Sequence, residues 1–140
     1  MLEWDIPLEI VSPNVQEHWT KKHKRNKRNK RLIMSFWLTR RESPQPPCEI
    51  LIERKISGKS KAYDEDNLIA GCKFIRDCIS DLLIPGLAPG QADSDKRLTW
   101  QYKQVTAKSK GVLITIMENW EMEQAAQDLI ESQKESHENT

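Results

Sequence analysis

Apolar and polar residues alternate from Leu2 to Val11, with Leu2, Trp4, Ile6, Leu8 and Ile10 in phase. This pattern predicts a strand with one buried face, and Pro7, which has no N–H to donate, predicts an edge position. Ser12-Pro13-Asn14 breaks the run. From Val15 to about Arg40 there is no Gly or Pro, and Val15, Trp19, Leu32, Ile33, Phe36 and Trp37 are spaced for a helix. Its middle is so polar that fraying or a loop there is an open alternative. Three prolines between Ser43 and Pro47 end it.

Cys48 to Ile56 reads as a second strand, followed by the loop Ser57-Gly58-Lys59-Ser60-Lys61. Leu68, Cys72, Ile75, Ile79 and Leu82 then recur at steps of four and three, which predicts one helix from about Asp66 to Leu83. The segment Pro85-Gly86-Leu87-Ala88-Pro89-Gly90 stops it. Leu98 to Thr106 and Gly111 to Met117 read as strands joined by the polar turn Ala107-Lys108-Ser109-Lys110, and are expected to form a hairpin. Trp120 to Ile130 predicts a short helix, with disorder expected beyond it. The order strand, helix, strand, helix, strand, strand predicts an α+β domain with a small mixed sheet flanked by helices.

A chain of 140 residues has room for one such domain, placed at residues 1–117, with 118–140 as a tail. The longest apolar run, Gly111 to Met117, is far short of the roughly 20 residues that span a bilayer. Glu3 and Asp5 stand where a secretion signal would be basic, so the expected location is the cytoplasm, without membrane partners. Cys48, Cys72 and Cys78 contain no Cys-x-x-Cys pair, which favours buried free thiols over a disulfide framework or zinc knuckle.

Charge is sorted along the chain. The net value is +1, but residues 118–140 hold seven acids and one lysine, about −6 against about +7 for the rest. Eight of the eleven positions from Lys21 to Arg31 are basic: Lys21, Lys22, Lys24, Arg25, Lys27, Arg28, Lys30 and Arg31. Such a run gains most by lying on phosphates and releasing their counterions, so a nucleic-acid partner is expected. A merely solvated run is the alternative. Trp19 is a candidate for stacking on a base or for the core. His18 and His23 have no acidic pair beside them and suggest no metal site.

Asp64-Glu65-Asp66-Asn67 lies where a loop enters the long helix. If that loop is extended through Asp66, Asp64 and Asp66 point to one side roughly 7 Å apart. Two such carboxylates suit a magnesium ion that keeps waters for phosphodiester hydrolysis. A second acidic cluster, Asp93-Ser94-Asp95, precedes the Leu98 strand, and Lys73 falls nearly two turns after Asp66, where it would meet a phosphate. Helix capping by Asp64 and Asp66, a polar loop at Asp93 and Asp95, and a solvated Lys73 are the competing readings.

Asp64-Glu65-Asp66-Asn67-Leu68, then Lys73, then Asp93-Ser94-Asp95-Lys96 together resemble the RusA family of Holliday junction resolvases, as does the opening strand with Ser12-Pro13-Asn14 and Trp19. The likeness covers roughly residues 2 to 117. It implies a RusA-like fold and a magnesium-dependent endonuclease of DNA recombination and repair. Asp64, Asp66 and Asp95, in preference to Asp93, would hold Mg2+, and Lys73 would stabilise charge. A homodimer would cut paired strands of a four-way junction. Two features depart from the family: some members carry the lysine four residues after the second Asp, where this chain has Ala70, and the Pro85 to Gly90 segment is long. Rival expectations are a DNA-binding protein without catalysis and a nuclease for other branched or single-stranded DNA.

Overall fold

The computed structural model describes residues 1–138. Its elements, in chain order, are β1 (Leu2–Ile6), α1 (Trp19–Leu38), β2 (Cys48–Ile56), α2 (Glu65–Gly71), α3 (Lys73–Leu83), β3 (Leu98–Thr106), β4 (Gly111–Glu118) and α4 (Asn119–Glu138), with a 3₁₀ turn at Ala92–Ser94. The fold is α+β, as expected. No helix among the described residues is long and apolar enough to cross a membrane.

The four strands form one mixed sheet in the order β1-β4-β2-β3. The first strand is an edge, as expected, but it ends at Ile6, before Pro7, rather than at Val11; its alternation continues past the last paired residue: Leu2, Trp4, Ile6, Leu8 and Ile10 are all buried. The hairpin expected of β3 and β4 is absent. Strand β2 lies between them, parallel to β3 (Ile52 beside Tyr102) and antiparallel to β4 (Ile52 beside Ile114). Cys48, Ile50 and Ile52 of β2 are buried beside Ile114 and Ile116 of β4, and their burial decides for the centre over the short local turn. Strand β3 takes the opposite edge, where Lys103 and its exposed neighbours protect an unpaired ladder.

One sheet face carries Ile6, Ile50, Ile52, Ile114 and Ile116 into the core, where Ile33 of α1 and Ile75 and Ile79 of α3 cover it. Each such side chain contributes about 1.5–3 kcal/mol on burial. Trp4 packs edge-on against Phe36 and Trp37, which seats the end of α1 on β1.

Helix α1 starts at Trp19 rather than Val15, because the His18 ring caps it by accepting the Thr20 N–H. Its polar middle is helical throughout. The long helix expected from Asp66 to Leu83 is two, divided at Cys72, whose N–H returns to Leu68 and Ile69. Beside the break, a Cβ on Gly71 would stand 2.9 Å from Ile10 Cγ2 and 3.0 Å from the Val11 carbonyl. Gly71 thus lets the Ile10–Val11 segment pass against the helix. Helix α4 runs through Glu138, beyond the predicted end at Ile130, while residues 139–140 of the expected disordered end lie outside the described residues.

Candidate functional site

Helix α1 presents the basic run on a fixed face. Asn29 is buried, with its Nδ2 donating to the Glu9 carbonyl at 3.0 Å and its Oδ1 accepting the Glu9 N–H at 3.3 Å. With about 100° per residue, Lys24, Lys27, Arg28 and Arg31 fall on the side opposite Asn29 and Ile33, and all four are exposed. Lys21, Lys22 and Lys30 are exposed as well. Arg25 differs from the rest of the run. Its guanidinium forks onto both oxygens of Glu17, at 2.6 and 2.8 Å, and holds that carboxyl below its usual range. Arg25 therefore ties the chain before α1 to the helix. Trp19 is 70% exposed and is not a core residue.

Between α1 and the junction of α2 and α3 lies a cleft of about 450 Å3, into which Lys22, Arg25, Asn26, Ala70, Lys73 and Asp77 project. Lys73 opens α3, and its Nζ donates to Asp77 Oδ1 at 2.7 Å and to Asp93 Oδ2 at 2.8 Å. Asp77 first, then Asp93, raises the lysine's pKa, and Lys73 lowers that of Asp93. Asp93 is held further by Arg76, whose Nε lies 3.4 Å from Oδ2 and whose Nη2 donates to the Asp93 carbonyl at 2.9 Å. The Trp100 indole N–H donates to the same carbonyl. Helix α3 and strand β3 thus fix the second acidic cluster against Lys73.

It is Asp93, not the preferred Asp95, that meets Lys73. Asp95 turns back on Arg97, accepting its backbone N–H at 2.9 Å and its guanidinium at 3.0 Å, and these contacts lower its carboxyl to about 2.

Asp64 and Asp66 do not lie on an extended segment. The helix begins at Glu65, so Asp64 is its N-cap, with Oδ1 accepting the Asn67 N–H at 3.0 Å. Capping wins because the first N–H groups of a helix lack internal partners. Asp66 lies in the first turn and is exposed. It stands one turn, roughly 6 Å along the axis, before Ala70 at the cleft.

The carboxylates at the start of α2 are the hard oxygen donors that magnesium takes, often in ones and twos completed by water and substrate phosphate. Among the described residues, however, no group of three or more His, Cys, Asp or Glu side chains is placed to hold a metal ion. Asp64, Asp66 and Asp95 are thus not assembled as a three-carboxylate cage. The three thiols are free, and burial pushes Cys72 up to about 12 and Cys48 and Cys78 to about 11.

Reading by composition missed Asn29 and Arg76. Asn29 was visible only as an interruption of the basic run, and Arg76 as the residue one turn after Lys73. Comparisons with protein-family models, with curated proteins and with solved structures each return no match.

Proposed function

We propose that this chain is a magnesium-dependent, structure-specific endonuclease of the RusA type. In this reading it acts in the cytoplasm as a homodimer and resolves four-way DNA junctions during recombination and repair. The observation that carries it is one juxtaposition: the exposed Lys22 of α1 lines a cleft that also receives Lys73 and that begins one turn from Asp66. A strand passing from Lys22 to Lys73 through this cleft would reach the acidic start of α2. Asp64 and Asp66 would hold the ion, the substrate phosphate completing its shell, and Lys73 would face the phosphate from the cleft. Bound there, magnesium would supply Lewis-acid activation of the phosphate and of water.

A second reading, DNA binding without hydrolysis, draws on the capping role of Asp64 and the closed Asp95–Arg97 pair. Incubation of the full chain with a labelled four-way junction and Mg2+ separates the two. Paired nicks that vanish in Asp66→Asn are expected. A bound but uncut junction, or cutting undiminished in the variant, overturns the nuclease reading.

A further inference from the structure

A second basic surface lies at one end of the sheet, apart from α1. Strands β2 and β3 are parallel and finish together, Ile56 beside Thr106, while β4 starts and β1 stops at the same end. Ser57–Lys61 and Ala107–Lys110 therefore leave the sheet side by side. From Arg54 to Lys61 and from Ala107 to Gly111 there are six cations, Arg54, Lys55, Lys59, Lys61, Lys108 and Lys110, and no acid. A cleft of about 400 Å3 opens here, lined by Arg54, Lys55, Ser60, Lys110 and, from the helix, Arg28.

Two of the six cations are engaged. Lys55 is paired with Asp5 at 2.7 Å, and Arg54 lies flat on Tyr63, 3.8 Å from the ring centre, donating to Gln104 and to the Lys61 carbonyl. Glu9 also borders the cleft. Lys59, Lys61, Lys108, Lys110 and Arg28 are exposed, and none forms an ion pair among the described residues.

We propose that this end of the sheet is a second contact for the DNA backbone, continuous with α1 through Arg28, which guides a strand past the start of α2. Five uncompensated cations on three chain segments, two of them (Arg28 and Lys110) lining an open cleft, match a repeating anion better than a single phosphate. Placement matters as much as charge: the loop from Ser57 passes through Tyr63 directly into Asp64. DNA held by both surfaces lies across the acidic helix start. The inference rests on the DNA-binding part of the proposed function and is independent of catalysis.

The test compares the full chain with Lys59→Gln/Lys108→Gln/Lys110→Gln and with Lys24→Gln/Lys27→Gln on α1, each checked for native melting. Binding of a labelled duplex is followed by anisotropy between 50 and 300 mM salt. Each phosphate contact contributes about 0.9 to the slope of log K against log salt, so the loop variant is expected to lose up to about 2.7 and the α1 variant up to about 1.8, additively. The matching triple Lys→Arg variant is expected to keep the slope. If the loop variant retains the wild-type slope while the α1 variant does not, the sheet-end contact is refuted and DNA binding stands. If the wild type shows no salt-dependent binding, both fail. Loss of binding to phosphatidylserine vesicles with an unchanged DNA slope would make this end a lipid surface and overturn the inference.

Discussion

Replacing Asn29 with alanine removes the clamp that sets the rotation of α1. Asn29 is 3% exposed, and its amide closes on both polar groups of the Glu9 backbone, at 3.0 and 3.3 Å. A buried hydrogen bond contributes about 1 kcal/mol net, and stranding a partner adds to that. Water reaches the exposed Glu9 residue and limits the addition, so Asn29→Ala is expected to cost about 2–3 kcal/mol. For a chain of this size that is a drop in Tm of roughly 10 °C. Asn29→Asp keeps the shape but points one carboxylate oxygen at the Glu9 carbonyl. Arg25, one turn earlier on the same face, is already held by Glu17, and a buried charge with no cation of its own costs more than the alanine void, so this variant is expected to be the weaker of the two near pH 7.

The sign with pH follows. Burial raises the new carboxyl above its unfolded value, so protonation favours the folded state, and the deficit of Asn29→Asp shrinks as pH falls. Urea unfolding of both variants between pH 5 and 8 measures this. An Asn29→Ala variant within about 0.5 kcal/mol of wild type, the usual range for an inert surface site, would refute the clamp. So would an Asn29→Asp deficit that is flat across this range. The clamp variant retains every cation of α1, so a loss of duplex affinity in it would report orientation rather than charge.

Two further outcomes follow from the helix ends. Among residues 119–136 only Glu121 is partly buried, and an isolated helix of this length is marginal in water, so truncation after Gln124 is expected to lower helical circular dichroism while leaving Tm within about 2 °C. A much larger fall would mean that α4 packs on something in solution. Asn is as good an N-cap as Asp, so Asp64→Asn is expected to retain stability where Asp64→Ala loses about 1 kcal/mol, and equal losses in urea unfolding would refute capping by this side chain.

Strand positions were legible because period-two burial is a local signal: β2 and β3 begin and end where the alternation does, and Leu8 and Ile10 keep their phase beyond β1. Pairing was not legible. Ala107–Lys110 is short enough for a hairpin, but β2 competes for the same edge of β4 with Cys48, Ile50 and Ile52 buried, and that competition is between distant segments. The break at Cys72 was hidden for a related reason. The apolar stripe runs through it unbroken, and the close approach of the Ile10 side chain and the Val11 carbonyl to Gly71, one residue before the break, is a contact between distant segments.

The acidic motif shows why residue type alone leaves two roles open. A helix start needs an oxygen to accept its free N–H groups, and a hydrated cation needs oxygens of the same kind. Asp64 answers the first need with Oδ1, and this use fixes the side chain rather than consuming it, since a carboxylate has two oxygens. Asp66, one turn from the cleft, has no capping duty of its own. On the same wall of the cleft, Lys73 engages two carboxylates at once, Asp77 and Asp93. An incoming phosphate would compete with both for that lysine. Capping is therefore the demand that Asp64 meets in the structure and ion binding the one proposed for the cluster, and the Asp66→Asn substitution bears on the second while leaving the Asp64 cap in place.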